Sequence, residues 1–293
     1  MRKVLLFVCL LMAGMTVNVN AAKQKAKHVI LIGMDGWGAY SVSKADIPAI
    51  KSLMTNGCYT LHSRSVLPSS SAINWASMFM GVGTELHGYT TWGSKTPEIP
   101  SREVNERGIA PTIFSVLREQ RPKAEIGCLY EWPGIKYLVD TLAMSYQYQT
   151  PGYAKAPTAL CEAAEKYIIE KKPELLAICF EEPDHTGHTK GHDTPAYYQM
   201  LKELDGYVER ILQAIKKAGI WDDTIIIMTA DHGGIKTGHG GKTLREMEIP
   251  FIISGKNVRK GMEIKKSMMQ YDTAAMIAYI PVSYTHLRAH ETK

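Results

Sequence analysis

Six side chains in this sequence have the types and settings needed to hold metal ions. Asp231-His232-Gly233-Gly234 follows Thr224-Ile225-Ile226-Ile227-Met228, a β-branched apolar run that reads as a buried parallel strand. An Asp-His pair at the carboxyl end of such a strand sits where open α/β sheets place ligands. His239 returns a few residues later in a second glycine frame, Gly238-His239-Gly240-Gly241. Two other apolar runs also end in acids: His28-Val29-Ile30-Leu31-Ile32 leads to Asp35-Gly36, and Glu174 to Phe180 leads to Asp184, with His188 four residues on. One such acid reads as a turn or cap residue. Asp35, Asp184 and Asp231 with His188, His232 and His239 together supply oxygen and nitrogen ligands for two divalent metals, zinc first.

Two metals about 4 Å apart clamp the attacking and leaving oxygens of an in-line displacement at phosphorus. Such a site needs a nucleophile. Ser69, Ser70 and Ser71 form a loop just before a helix expected over Asn74 to Met80. Free N–H groups at a helix N-terminus attract a phosphoryl group. A metal-held hydroxyl loses its proton without a histidine base, as zinc lowers a bound water's pKa to about 7. On residue types alone, any of the three serines serves.

The elements that must position these residues alternate. Strands are expected at Lys27 to Met34, Thr60 to Val66, Ala124 to Tyr130, Glu174 to Phe180, Thr224 to Met228 and Pro250 to Ser254. Helices are expected at Ile47 to Asn56, Asn74 to Met80, Pro111 to Glu119, Ala156 to Lys171, Thr194 to Ala218, Thr243 to Met247 and Thr273 to Ile280, the last with Asp272 as its N-cap. This alternation predicts an α/β fold, a mostly parallel central sheet with helices on both faces. Residues 89–110 carry no period and read as a long functional loop.

The 293 residues are 45% hydrophobic and 22% charged, enough for a sizeable core. The formal charge of +5 is scattered and leaves no nucleic-acid footprint. Residues 1–21 read as a secretory signal peptide: Arg2 and Lys3, then an apolar stretch too short to span a bilayer, then Val19-Asn20-Ala21. No other run is long enough for a membrane span, so export, to a bacterial periplasm, is the expectation. Residues 22–281 read as one domain. Residues 282–293 resemble a translated sequencing-adapter peptide and are expected to be a non-native tail, so that His286 and His290 are not ligands. Cys58, Cys128, Cys161 and Cys179 show no close pairing and read as small buried hydrophobes.

The motifs together resemble the alkaline phosphatase superfamily, on its nucleotide pyrophosphatase/phosphodiesterase branch. Met34-Asp35-Gly36 is similar to the first metal aspartate motif. Ser71-Ala72-Ile73-Asn74, with Gly81 and His87-Gly88, is similar to the nucleophile segment, although Ile73 stands where the family has proline. Pro183-Asp184-His185-Thr186-Gly187-His188, Asp231-His232-Gly233 and His239-Gly240 resemble the remaining metal segments. The resemblance implies one zinc on Asp184, His188 and His239, and another on Asp35, Asp231 and His232 beside Ser71. Ser71 would be a nucleophile that passes through a phosphoserine, with Ser70 as alternate, and Asn74 would donate to a phosphoryl oxygen.

The implied activity is hydrolysis of a small phosphodiester or nucleotide pyrophosphate. Alternatives are a phosphomonoesterase, for which no arginine lies adjacent to Ser71 in the sequence, a sulfatase, whose Cys/Ser-x-Pro-x-Arg signature is absent, and a non-catalytic metal-binding protein. His87, His185 and His192 read as surface groups or as supports for the ligands. Trp75, Trp92, Tyr130 and Trp132 are core residues or stacking partners for a base or sugar.

Overall fold

The computed structural model describes residues 25–152 and 156–280. The expected signal peptide and the expected tail lie outside the described residues. The chain runs β1 (His28–Met34), α1 (Pro48–Thr55), β2 (Gly57–Arg64), α2 (Ser71–Met80), α3 (Thr84–His87), α4 (Ile113–Gln120), β3 (Ile126–Tyr130), β4 (Tyr146–Gln149), α5 (Ala156–Lys171), β5 (Leu175–Phe180), α6 (Asp184–Lys190), α7 (Pro195–Lys217), β6 (Thr224–Thr229), α8 (Leu244–Met247), β7 (Glu248–Gly255), β8 (Met262–Glu263), β9 (Met268–Met269) and α9 (Asp272–Tyr279).

The strands form one sheet in the order β4-β3-β5-β1-β6-β7-β2-β8, with β9 also on β2. From β4 to β6 all neighbours are parallel. The pairs β6–β7 and β7–β2 are antiparallel. The short β8 and β9 run parallel to β2. The sheet is therefore mostly parallel, as the alternation of elements requires.

Period-2 alternation in β1 separates two cores. Val29 and Leu31 face a cluster that takes in Ala72, Phe79, Phe114, Leu117, Ala274 and Ile277, from α2, α4 and α9. Ile30, Ile32 and Met34 face Ile50, Leu53, Leu160, Ile168, Leu204 and Ile211, from α1, α5 and α7. Both faces of the central strands are thus covered, and strands covered on both faces read as continuous apolar runs. No helix among the described residues is long and apolar enough to cross a membrane.

β1 lies between β5 and β6, with Met34 opposite Phe180 and Gly33 opposite Thr229. Asp35, Glu181 and Ala230 are the next residues of the three strands, so their acids emerge at one sheet edge. Asp35 N–H still donates to Phe180 O, 2.9 Å, extending the ladder to the first ligand position.

Several boundaries differ from expectation. Helix α2 begins at Ser71 rather than Asn74. Asp272 is the first residue of α9, not its cap, and its carboxylate accepts from Met269 N–H, 2.8 Å. Strands β4, β8 and β9 and helices α3 and α6 have no counterpart in the sequence reading. Residues 89–110 contain no helix or strand. The four cysteines among the described residues are buried and unpaired.

Candidate active site

Asp35 follows β1, and Asp231 and His232 follow β6. All three are buried. The two carboxylates share a pattern. One oxygen of each is hydrogen-bonded and the other is bare. Asp231 Oδ1 accepts from Gly36 N–H (3.1 Å) and His232 N–H (2.8 Å), and Asp35 Oδ2 accepts from the Trp75 indole N–H (3.1 Å). Asp35 Oδ1 and Asp231 Oδ2 have no hydrogen-bond partner. Both face His232 Nε2, at 3.3 and 3.2 Å.

The His232 ring is fixed by its other nitrogen. Nδ1 lies 2.8 Å from Gly233 O, a carbonyl that only accepts, which places the ring proton on Nδ1 and a lone pair on Nε2. Ser71 Oγ lies 3.2 Å from the same Nε2. Two bare carboxylate oxygens, an imidazole lone pair and a hydroxyl therefore meet at one buried point. Like-charged, desolvated acceptors at such distances repel unless a cation sits among them. Burial, with the neighbouring Asp231 and Asp184 charges, holds the Asp35 carboxyl well above its ordinary range, and burial with Asp184 does the same to Asp231. Burial also lowers His232 to about 3, so its lone pair is not protonated at neutral pH. The donor set fits a divalent cation.

A second cluster adjoins the first. Asp184 opens α6, and His188 one turn on shares its face. His188 Nε2 is 3.0 Å from Asp184 Oδ2, and His239 Nε2 is 3.2 Å from His188 Nε2 and 3.8 Å from Asp184 Oδ2. Backbone carbonyls set these tautomers too: His188 Nδ1 donates to Thr237 O, 2.9 Å, and His239 Nδ1 to Ser69 O, 3.0 Å. A ligand histidine that gives its second N–H to a carbonyl, turning a lone pair inward, is the usual support of a metal site. Burial opposes ionisation of Asp184, but the His188 hydrogen bond and the nearby histidines carry it down to about 2, while Asp184 lifts His188 to about 9.

The His232 and His239 rings stack at 3.7 Å, and ligand atoms of Asp184, His232 and His239 fall within 4.8 Å of one another, as do those of Asp35, Asp231 and His232. His232 thus borders both clusters. Gly36, at φ +68°, lets the turn after β1 lie against Asp184: a Cβ there would meet Asp184 Oδ1 at 2.6 Å.

Of the three serines, Ser69 donates its hydroxyl to Gly241 O, 2.7 Å, and Ser70 occupies the N-cap of α2 without a side-chain cap bond. Ser71, the first residue of α2, reaches His232. Asn74, expected to donate to a phosphoryl oxygen, turns its amide into the loop before α2. Its Oδ1 accepts from Val66 N–H (2.7 Å), and its Nδ2 donates to Val66 O (3.2 Å), Pro68 O (3.2 Å) and Ser70 O (3.1 Å). With its amide spent on the loop's own backbone, Asn74 shapes the turn that presents Ser71.

The other histidines separate clearly. His87 is buried, accepts from Tyr89 N–H (3.0 Å) and ties Ser77 Oγ (3.0 Å), and burial lowers it to about 4; it joins α2 to α3. His185 is exposed. His192 is buried with both ring nitrogens unpartnered, and its Nε2 sits 3.6 Å from Asp184 Oδ1, itself bare. Of the four aromatics, Trp75 and Tyr130 are core residues. Trp92 is exposed and pairs with Trp132, ring centroids 6.2 Å apart. The sequence reading missed Glu131, next to Trp132 and buried: its Oε2 accepts from Glu181 N–H, 2.7 Å, and burial pushes it up to about 8. Only its place after an apolar strand signalled it.

Residues 29–287 match the family model of type I phosphodiesterases and nucleotide pyrophosphatases. The chain belongs to that family, within the alkaline phosphatase superfamily. Among curated relatives it is 24% identical over 226 residues to the bis(5'-adenosyl)-triphosphatase enpp4 of Mus musculus, an alignment covering 73% of this chain and 48% of the relative. The chain thus spans about half the length of that protein. The murine ectonucleotide pyrophosphatase/phosphodiesterase 5 structure superposes with a TM-score of 0.70 at 17% identity, over 88% of this chain and 95% of that one. A 2-O glycosaminoglycan sulfatase, BT1596, gives a TM-score of 0.66 at 15% identity, over 89% and 72%. Both likenesses establish the fold, and the family match places the chain on the phosphodiesterase branch.

Proposed function

We propose that this protein is an exported hydrolase of phosphodiesters or nucleotide pyrophosphates, with two zinc ions and Ser71 as the nucleophile. The observation that carries the reading is the meeting of Asp35 Oδ1 and Asp231 Oδ2, two carboxylate oxygens with no hydrogen-bond donor, at His232 Nε2, whose own partner is Ser71 Oγ. Asp35, Asp231, His232 and Ser71 would hold one ion, and Asp184, His188 and His239 the other. Divalent ions bound there supply Lewis acidity, lowering the pKa of a held hydroxyl and neutralising charge on the phosphoryl oxygens. Zinc suits the mixed carboxylate and imidazole donors.

The chain's own residues do the rest. Ser71 attacks phosphorus in line, the alcohol or phosphate leaves, and water then releases the phosphoryl group from Oγ. Helix α2 offers its uncapped N-terminus to the phosphoryl oxygens. Asn74 keeps the turn before α2 rigid. Trp92 and Trp132 offer an aromatic edge for the leaving group. The residues 1–21 support export and a periplasmic location.

Preference for a diester rests on charge. Glu181 and Glu182 precede Asp184; burial with the Glu182 and Asp184 charges pushes Glu181 up to about 7, so it adds its negative field at Asp35 as the pH rises past neutrality. A dianionic monoester meets more repulsion there than a monoanionic diester. The test is kcat/KM for a nitrophenyl phosphodiester against the matching monoester, with zinc present. A ratio well above one is expected. A ratio well below one would keep the site and move the function to a phosphomonoesterase.

A further inference from the structure

We propose that Trp75 is a positioning residue for the buried cation: its indole N–H holds one oxygen of Asp35 aside so that the other alone faces the metal. The inference rests on the two-cation reading above and names a part of the chain which that reading leaves without a role.

The two carboxylates of the buried cluster are oriented in different ways. Asp231 is set by two backbone donors on Oδ1, Gly36 N–H and His232 N–H. Any sequence folding this way would supply them. Asp35 is set by a side chain, the Trp75 indole, at 3.1 Å on Oδ2. An indole N–H donates and does not accept, so it fixes which oxygen is used without competing for the cation. Asp35 Oδ1 is consequently the bare oxygen, 3.3 Å from His232 Nε2.

The donor is built in. Trp75 is buried, and its ring stacks on Phe79 at 5.7 Å, one turn further along α2. The indole lies over β1 where Gly33 has no side chain: a Cβ at Gly33 would stand 2.4 Å from Trp75 Cη2. Glycine at this strand position is what admits a large ring beside the ligand that follows two residues later. Trp75 is also four residues after Ser71, on the same face of α2. A single rigid helix therefore presents the nucleophile and orients the metal ligand, so that the position of Ser71 Oγ and the direction of Asp35 Oδ1 are fixed together. Such outer supports commonly change metal affinity 10- to 100-fold.

The experiment replaces the N–H alone. Site-specific incorporation of benzothienylalanine at Trp75 keeps the ring shape and substitutes sulfur for N–H, and Trp75→Phe is the genetic counterpart. Zinc affinity at each site is measured on the metal-free chain by chelator competition, with thermal melting as a check on folding and cobalt absorption as a report on coordination. The expected result is a benzothienylalanine chain that melts like its parent in the metal-free state, binds one zinc roughly 10- to 100-fold more weakly with an altered cobalt spectrum, and binds the other within about twofold. Unchanged affinity at both sites overturns the inference, as does equal loss at both. A parent chain that binds fewer than two zinc ions overturns the two-cation reading itself; a parent that binds two, with an unchanged benzothienylalanine chain, overturns this inference alone.

Discussion

The two halves of the candidate site are built differently. Asp35, Asp231 and His232 are buried at strand ends, while Asp184 and His188 share a seven-residue helix, and the His188 side chain is 45% exposed. In the buried half the ligands are fixed from behind by strand ladders, backbone N–H groups and Trp75. In the open half they are fixed mainly by one another and by loop carbonyls at Ser69 and Thr237. The proton balance follows the same division. The buried carboxyls resist ionisation, whereas the open one keeps a charged histidine as its partner. The lesson is one of division of labour: the fully buried half suits the nucleophile, and the other half meets solvent through His188 alone, since the Asp184 and His239 side chains are themselves largely buried.

The largest expected effect is at the nucleophile. Ser71→Ala should lower kcat/KM for a diester by at least about 10³-fold while both zinc ions remain, as read by kinetics and metal analysis. Equal turnover would remove Ser71 from its role.

Next comes a direct contrast of the halves. Asp231→Asn should lose one zinc and, in the metal-free state at neutral pH, melt at a higher temperature than the parent, because burial and the Asp184 charge hold the Asp231 carboxyl well above its ordinary range, a cost of folding that the amide does not carry. Asn keeps an oxygen for the two backbone donors. His188→Ala should lose the other zinc, recover it at high zinc concentration, and gain no such stability, since Asp184 then loses the partner that favours its charge. Identical behaviour of the two variants would erase the distinction.

The smallest effect concerns the acidic wall beside the open half. Glu131 titrates at about 8 in the folded chain because it is buried, against an ordinary value of 4.5. Below pH 4.5 both states are protonated and the group is neutral in effect. Above that, the unfolded chain ionises first, so stability is lost as pH rises toward 8 and the loss is complete beyond it. Glu131→Gln retains the acceptor for Glu181 N–H and should raise stability on the order of 3 kcal/mol at pH 8.5, with no gain at pH 4. Denaturant unfolding at the two pH values measures this, and a gain that does not depend on pH would contradict it.

Much of this arrangement was legible in the sequence. Continuous apolar runs such as Ile225-Ile226-Ile227 mark strands covered on both faces, and the acids after them fall at one edge because parallel neighbours end together. What was illegible depended on tertiary contact. Helix α6 has Thr186, Gly187 and Thr189 at its centre, poor helix formers whose turn is stabilised by Glu182 accepting from Thr186 N–H, 2.9 Å. The four-residue β4 has too few residues to show a period and is defined by pairing with β3. Asn74 matched a motif by position, yet the direction of its amide is decided by the Val66–Ser70 backbone it closes. Trp75 and Gly33 are ordinary core residues until the strand and helix are brought together.

The most direct measurement is the anomalous scattering of crystals grown with zinc, recorded at the zinc edge. The expected result is two peaks per chain: one within bonding distance of Asp35, Asp231, His232 and Ser71, the other bound by Asp184, His188 and His239. A single peak, or a buried cluster that remains metal-free while Asp184 binds zinc through His192, would contradict the account.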